Sequence, residues 1–388
     1  MKLLYHHRTQ AEDGQAVHIR SMIQALEGLG HGVREVALVS RGAAPQAKAD
    51  LIQEESSGGL RSLLRIPHFA REIAEHMYSV PAKGRLVRAG REFGPDGIYE
   101  RYAFGNRAGL WASKELGVPL VLEVNSPMVL ELSKTRGLYF SKFGERVEGE
   151  IFRGADRVCV VTAVLGETLV EMGVDPDRVV VTPNGVCLDQ YAHPDREAAR
   201  RDLGLENVSG PVLGFVGWVR DWHRLDLVID ALAGGDLRDA QLVIIGGGPA
   251  IGDLAAQAHA SGVADRVHLV GPRLHEEIPA LLPAMDVGLV PAINPYASPL
   301  KLHEYMAAGL PVIAPDQPNL REVLQHEREA LLVQPGDGAA LLAACQRLVS
   351  DAPLRQALGQ AARQSILDQD LTWEGNVRRV ERALEDIS

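Results

Sequence analysis

Two doubly wound α/β domains, each a parallel sheet wrapped by helices, are the fold class this 388-residue sequence predicts. Three observations carry that expectation. Short β-branched runs alternate with helical stretches almost from end to end, as in parallel sheets covered on both faces. The runs fall into two successive series of similar architecture that are not sequence repeats. The chain is also longer than one hydrophobic core usually serves.

The first series is Lys2 to Tyr5, Val33 to Val39, Gly97 to Tyr102, Pro119 to Val124, Val158 to Thr162 and Val179 to Thr182, with helical patterns in the gaps. The second is Val212 to Val216, Leu242 to Ile245, Val267 to Val270, Val287 to Val290, Val312 to Ala314 and Leu331 to Val333. Between them lies P-N-G-V followed by C-L-D-Q-Y-A-H-P-D, Pro183 to Asp195, rich in turn formers and leading into a charged helix, Arg196 to Leu203. The domain boundary belongs there, giving domains 1–190 and 191–370. Helical patterns then run from Gly338 to Gln369, and Trp373 opens a last one, Glu374 to Glu385. Residues 371–388 are expected to pack back toward the first domain.

Hydrophobic residues make up 46 % and charged residues 23 %, ordinary for a folded globular chain. A net charge of −11 argues against nonspecific nucleic-acid binding, so any phosphate site must be local. Cys159, Cys187 and Cys345 are odd in number and form no C-x-x-C pair, which fits a reducing compartment. The start, M-K-L-L-Y-H-H-R, turns polar too early for a signal peptide. No run approaches the roughly 18 apolar residues of a membrane span. A cytoplasmic protein is expected. The segment 60–91 is locally basic, with Arg61, Arg65, Arg71, Lys83, Arg85, Arg88 and Arg91 against Glu72 and Glu75. Leu63, Leu64, Ile66, Phe69, Ile73 and Met77 are interleaved, so it reads as the solvated face of amphipathic helices, the preferred reading, as a peripheral contact with the inner face of an anionic membrane, or as a face toward a charged acceptor.

The chemistry concentrates in S-P-L-K-L-H-E-Y-M-A, Ser298 to Ala307. Ser298 suits an N-cap and Pro299 the first helical position, and the helix should end near Gly309. Leu302, Tyr305, Met306 and Gly309 form a buried stripe, while Lys301 and Glu304 share the adjacent face. Lys301 thus stands in the first turn, where the helix dipole disfavours a cation unless an anion is present. A diphosphate on the Leu300 and Lys301 N–H groups and the ammonium would supply that anion, and Glu304 could hold two ribose hydroxyls. The alternative is an exposed ion pair that does little.

S-P-L-K-L-H-E-Y-M-A-A-G-L-P-V-I-A resembles the donor-site motif of the large retaining glycosyltransferase family 4, which has the GT-B fold of two Rossmann-like domains facing a cleft. Further matches follow in order: I-Y-E-R-Y at Ile98, V-T-P-N-G-V at Val181, F-V-G at Phe215, I-G-G-G-P at Ile245, D-R-V-H-L-V-G at Asp265 and D-V-G-L-V-P at Asp286. The resemblance spans nearly the whole chain and is strongest from Val181 to Val333. It implies a nucleotide-sugar donor in the second domain and an acceptor in the first. Glu304 would hold the ribose, and Pro299, Leu300 and Lys301 the diphosphate. Arg273 and Leu274 would flank the base. Asn184 and Gly185 would line the cleft, and Gly14 and Gln15 would approach the donor phosphate from the other domain. All sit on loops at strand C-terminal ends, where open α/β sheets place ligands.

The sequence also departs from the family pattern. Trp218 and His223 stand where many members carry Arg and Lys, leaving Arg220 and a weaker donor, His223, for the diphosphate. Tyr296 replaces a Glu associated with the donor sugar, and Asn125 in L-E-V-N-S-P replaces a His. Arg101, Glu123, Asn125, Asn184 and Tyr296 are the sugar or acceptor candidates, each with a structural role as its alternative. The catalytic group is unassigned, with Asn125, Arg220 and Lys301 as candidates. His6, His7 and His18 lack metal-ligand spacing, and no D-x-D motif of the kind metal-dependent sugar transferases use is recognised. No metal or cofactor is therefore expected, and Lys301, Arg220 and helix dipoles would neutralise the leaving diphosphate. Rival readings are a sugar-nucleotide epimerase, a catalytically silent sugar-nucleotide-binding partner, and a nicotinamide-dependent dehydrogenase. Gly14 standing alone after the first strand counts against the last.

Overall fold

The computed structural model describes residues 1–9, 14–37 and 67–387. The chain forms two compact units, Met1–Pro183 together with Trp373–Ser388, and Asn184–Thr372. The division falls at Pro183 rather than at residue 190 because the turn-rich stretch already bonds to the second unit. The Asn184 N–H donates to Ser298 Oγ at 3.1 Å, and the Val186 N–H donates to the Leu371 carbonyl at 3.2 Å.

The first unit holds β1 (Lys2–His7), β2 (Gly32–Ala37), β3 (Gly97–Arg101), β4 (Leu120–Val124), β5 (Arg157–Val160) and β6 (Val179–Val181). Its sheet is parallel throughout, in the order β2-β1-β3-β4-β5-β6. The second unit holds β7 (Val212–Val216), β8 (Gln241–Ile245), β9 (Val267–Gly271), β10 (Val287–Leu289), β11 (Val312–Pro315) and β12 (Ala330–Val333). These strands are also all parallel, in the order β12-β11-β10-β7-β8-β9. The central strands β3, β4 and β7 are buried along their whole length. Burial along the whole strand reflects helices on both faces, and the polar residues of β3 and β4, Glu100, Arg101 and Glu123, are buried with paired partners. Every strand expected from the sequence is present, with ends moved by a residue or two; residues 38 and 39 of the second lie outside the described residues.

Strand order reverses between β1 and β3 in one sheet and between β7 and β10 in the other. At such a switch point the loops leave in opposite directions and open a crevice at the strands' C-terminal ends. The second unit's crevice receives the helix Leu300–Ala307. Leu302, Tyr305 and Met306 are fully buried along one side of it, and Gly309, at φ +72°, turns the chain away. A Cβ at Gly288 of β10 would lie 2.4 Å from the Tyr305 ring, so this strand requires glycine there for the helix to seat.

Three local expectations are corrected. The helix begins at Leu300, with Pro299 extended at the N-cap, and the Ser298 hydroxyl serves the Asn184 N–H instead of capping. The Gly338 to Gln369 pattern divides into helices Gly338–Ser350 and Ala352–Asp368, because Asp351 accepts the Leu354 N–H at 2.8 Å and restarts the helix with Pro353 in its first turn. The last helix spans Trp373–Glu385 and packs on helix Gly14–Gly28, with the Trp373 ring edge-on to His18 at 4.9 Å. No helix among the described residues is long and apolar enough to cross a membrane.

Candidate functional site

In the second unit the chain after β7 brings Gly217 beside the first turn of helix Leu300–Ala307. A Cβ on Gly217, whose φ is +129°, would meet Lys301 Nζ at 3.0 Å. The ammonium lies 3.7 Å from the centre of the Phe215 ring, a cation–π contact at the end of β7. Tyr305 Oη accepts the Val216 N–H at 2.8 Å and locks helix to strand. Among the described residues the Lys301 ammonium has no hydrogen-bond or ion-pair partner. Burial pulls its pKa down to about 7, against the pull of Glu304.

Glu304, one turn deeper, is 5 % exposed. Burial pushes its carboxyl up to about 7, with Lys301 opposing. The His275 Nδ1 stands 3.3 Å from Glu304 Oε1, yet the approach lacks hydrogen-bond geometry and leaves that oxygen buried without a donor. The alternative reading, an exposed Lys301–Glu304 ion pair, is not what forms: no ion-pair contact joins them, and both are withdrawn from water. A half-buried cation without an acceptor and a buried carboxylate oxygen without a donor stand side by side, an arrangement native structures rarely leave unexplained.

The neighbouring candidates take varied positions. His223 is buried, and its Nδ1 accepts the Arg220 N–H at 3.0 Å, which places the ring proton on Nε2. Burial, with the positive charges of Lys301 and Arg220, lowers its pKa to about 3, so it can act only as a neutral donor. Arg220 and Trp218 are exposed. Arg273 turns toward Asp202 at 3.4 Å and Glu277 at 3.7 Å. The Leu274 N–H donates to Glu277 Oε2 at 2.7 Å. Asn184 is fastened to Ser298 through both its N–H and its side-chain amide. Tyr296 is half-buried in the loop before the helix, a loop that Asn319 ties down through bonds to the Asn294 and Ala297 carbonyls at 3.2 and 2.7 Å.

Sequence reasoning passed over Phe215, His275 and Asn319. Phe215 belongs to an expected strand and to the F-V-G match, neither of which signals a contact with Lys301. His275, directly after the predicted Arg273 and Leu274, carried a proximity signal, whereas Asn319 carried none. The sequence also contains two D-x-D strings, at Asp175 to Asp177 and Asp368 to Asp370. Asp175 accepts the Asp177 N–H at 3.1 Å and Asp370 accepts the Thr372 hydroxyl at 3.0 Å, so each serves a local turn.

In the first unit, polar residues cluster where β1, β3 and β4 end. Glu123 accepts from Tyr99 Oη at 3.0 Å, Tyr5 Oη at 3.4 Å, Asn125 Nδ2 at 2.9 Å and Arg101, and pairs with His18 Nε2 at 3.1 Å. Burial alone would raise this carboxyl, but His18, Arg101 and the hydrogen bonds hold it well below the usual carboxylate range. Arg101, Glu123 and Asn125 are thus one network, and Glu123 has little capacity left for a ligand. His6 pairs with Glu100 at 2.5 Å and His7 with Glu35 at 3.0 Å, so each of the three early histidines faces a carboxylate. Gly14 and Gln15 are exposed at the start of helix Gly14–Gly28.

Two family models divide the chain: the glycosyl transferase 4-like domain matches residues 13–185, and glycosyl transferases group 1 matches residues 210–351. The chain belongs to glycosyltransferase family 4. Among this family's curated members, D-inositol 3-phosphate glycosyltransferase of Stackebrandtia nassauensis is 30 % identical over 289 residues, 69 % of this chain and 63 % of the relative. The same-named protein of Xylanimonas cellulosilytica is 30 % identical over 69 % of this chain and 67 % of its own. The 2-deoxystreptamine glucosyltransferase of Streptomyces kanamyceticus is 31 % identical over 50 % and 48 %. The first of these alignments thus spans less than two thirds of the relative's length. The GT-B fold is seen in the solved structure of Anabaena HepE in complex with UDP, at TM-score 0.73, 18 % identity and full coverage of both chains. Sucrose-phosphate synthase from Thermosynechococcus elongatus matches at 0.72 and 21 %, again with full coverage.

Proposed function

We propose that this chain transfers a sugar from a nucleoside-diphosphate sugar to an acceptor, with retention at the anomeric carbon. One observation carries the reading: among the described residues the Lys301 ammonium has no acceptor, in the first turn of a helix, beside a buried Glu304 whose Oε1 accepts no hydrogen bond. A diphosphate satisfies the ammonium and the free N–H groups of Leu300 and Lys301, and its negative charge suits the dipole end. A pair of ribose hydroxyls satisfies Glu304. His223 Nε2–H would add one neutral donor.

In the transfer step the bond between the anomeric carbon and the diphosphate oxygen breaks, and the acceptor hydroxyl oxygen takes its place on the same face. Lys301 and the helix N-terminus stabilise the charge gathering on the leaving diphosphate. The departing phosphate oxygen, held next to the reacting centre, accepts the acceptor's proton, so the step needs no base from the described residues. Solved structures of HepE with UDP and with UDP-glucose support a nucleoside-diphosphate hexose as the donor class. The acceptor is left unassigned among glycans, lipid-linked sugars and small molecules.

A thermal-shift screen against UDP, GDP, ADP and dTDP tests the donor site. A ligand at a hundredfold excess over its dissociation constant stabilises by about 2.7 kcal/mol. The expected result is a clear shift with one base and a lost shift in Lys301→Ala; no shift with any of the four overturns the reading. Incubation with nucleotide-sugars and no acceptor separates the epimerase alternative, which alone yields a new nucleotide-sugar.

A further inference from the structure

Helix His68–Met77 is built inside out. Its two glutamates face inward, Glu72 at 1 % and Glu75 at 9 % exposure, while Phe69, Ile73 and Met77 stand outward at 45, 48 and 61 %. A surface helix of a soluble protein ordinarily does the reverse. The glutamates are held in by specific bonds. Glu72 accepts the Tyr139 and Phe140 N–H groups at 2.8 and 3.0 Å, just ahead of helix Ser141–Gly154, where an anion complements the dipole. Glu75 takes the Arg136 guanidinium in a two-pronged pair at 3.2 and 2.6 Å. With those faces fixed, the helix's apolar stripe has nowhere to go but outward.

The stripe continues onto the segment it clamps. Tyr139 is 71 % exposed with its ring 6.3 Å from that of Phe69, and Phe140, Phe143 and Leu130 are exposed as well. Exposed apolar side chains gathered on two adjoining segments in this way mark an interaction surface. The accompanying charge decides the occupant. Along the same segments Arg71, which pairs with Glu75, and Lys134, Lys142 and Arg146 are exposed, against an exposed Glu145 and a half-buried Glu131. This local excess of cations stands in a chain whose net charge is −11. Aromatic and aliphatic side chains accompanied by lysine and arginine are the chemistry of an anionic lipid surface.

We propose that helix His68–Met77 and the adjoining Leu130–Arg146 segment dock the first unit on an anionic membrane, with Phe69, Ile73, Met77 and Tyr139 entering the headgroup region. The alternative reading of segment 60–91 as a membrane contact is thereby moved: residues 60–66 lie outside the described residues, and the aromatic half of the surface comes from 130–146. The proposal is independent of the donor site.

The test is co-sedimentation of the full chain with phosphatidylcholine vesicles containing about one-third phosphatidylglycerol, a lipid mixture with a strong negative surface potential. Binding is expected, weakened by raised salt and lost on phosphatidylcholine alone. The variant Phe69→Gln, Ile73→Gln, Met77→Gln changes only exposed side chains and should keep its circular-dichroism melt while partition falls about tenfold or more. A second variant, Lys142→Glu with Arg146→Glu, should reduce binding to anionic vesicles without touching the apolar stripe. Absence of vesicle binding, or binding unchanged in the triple variant, overturns the proposal. So does a dimer of the wild type, seen by sedimentation velocity, that the triple variant abolishes, since a second copy would then be the occupant.

Discussion

Two buried glutamates, one in each unit, follow opposite rules. Glu123 sits at the end of β4 among Tyr5, Tyr99, His18, Arg101 and Asn125, every oxygen engaged, and its carboxyl is held well below the ordinary range. Glu304 is buried to a similar degree, yet one oxygen has no donor and burial raises its pKa to about 7. Full satisfaction by the protein marks a group that holds the structure; incomplete satisfaction, beside a cation with no acceptor, marks a group kept for something else. Burial by itself does not tell them apart. The partner list does.

The sharpest way to break this comparison is to remove Glu123. Glu123→Ala leaves the Arg101 guanidinium buried without its carboxylate, and unfolding in urea should show a loss of about 3–5 kcal/mol. A loss under about 1 kcal/mol, the size expected of an exposed pair, would dissolve the contrast. Lys301→Met should do the opposite kind of damage, weakening nucleoside-diphosphate binding by about 1.5–3 kcal/mol, the worth of a hydrogen bond to a charged group, with the fold intact. Calorimetric titration with the nucleotide chosen by thermal shift reads that change. Glu304→Gln keeps shape and one acceptor, so its effect on the same titration should be smaller, about 0.5–1.5 kcal/mol.

A pH series sharpens the comparison most gently. Glu304, raised from 4.5 to about 7 in the fold, keeps a proton that the unfolded chain has released, so stability falls as pH rises through that window. Lys301, lowered from 10.5 to about 7, has released a proton that the unfolded chain still holds, so stability rises from about 7 toward 10.5. The pair should therefore impress a shallow minimum near neutral pH on the ligand-free melting curve. Glu123 has the other sign: its depressed pKa contributes stability above 4.5 that is lost as pH falls below it. A melting profile with the acid loss but no neutral minimum would leave Glu304 and Lys301 with ordinary titration.

The sheets were legible in the amino-acid sequence because parallel strands buried on both faces leave short runs rich in β-branched and aliphatic residues between helical patterns, and all twelve stand near their expected places. Lys301 and Glu304 were legible because three-residue spacing on a helix fixes a shared face. What could not be read depends on contacts far apart in the chain. Ser298 looked like a cap until Asn184, 114 residues earlier, was found bonded to it. Arg101 looked like a candidate separate from Glu123 and Asn125 because their common network joins the ends of β3 and β4, with Tyr5 of β1. The helix His68–Met77 looked like an ordinary amphipathic helix; only the inward bonds of Glu72 and Glu75 reveal that its apolar face is the outer one.

The central claim is that Lys301 and Glu304 are spent on a nucleoside diphosphate and not on the fold. Its most direct test is the melting temperature of Lys301→Met combined with Glu304→Gln, measured with and without that nucleotide at pH 7. The account predicts a ligand-free variant at least as stable as the native chain, because two poorly satisfied buried charges are gone, together with loss of the nucleotide-induced shift. A variant that melts far lower without ligand, yet is still shifted by the nucleotide as the native chain is, would contradict it.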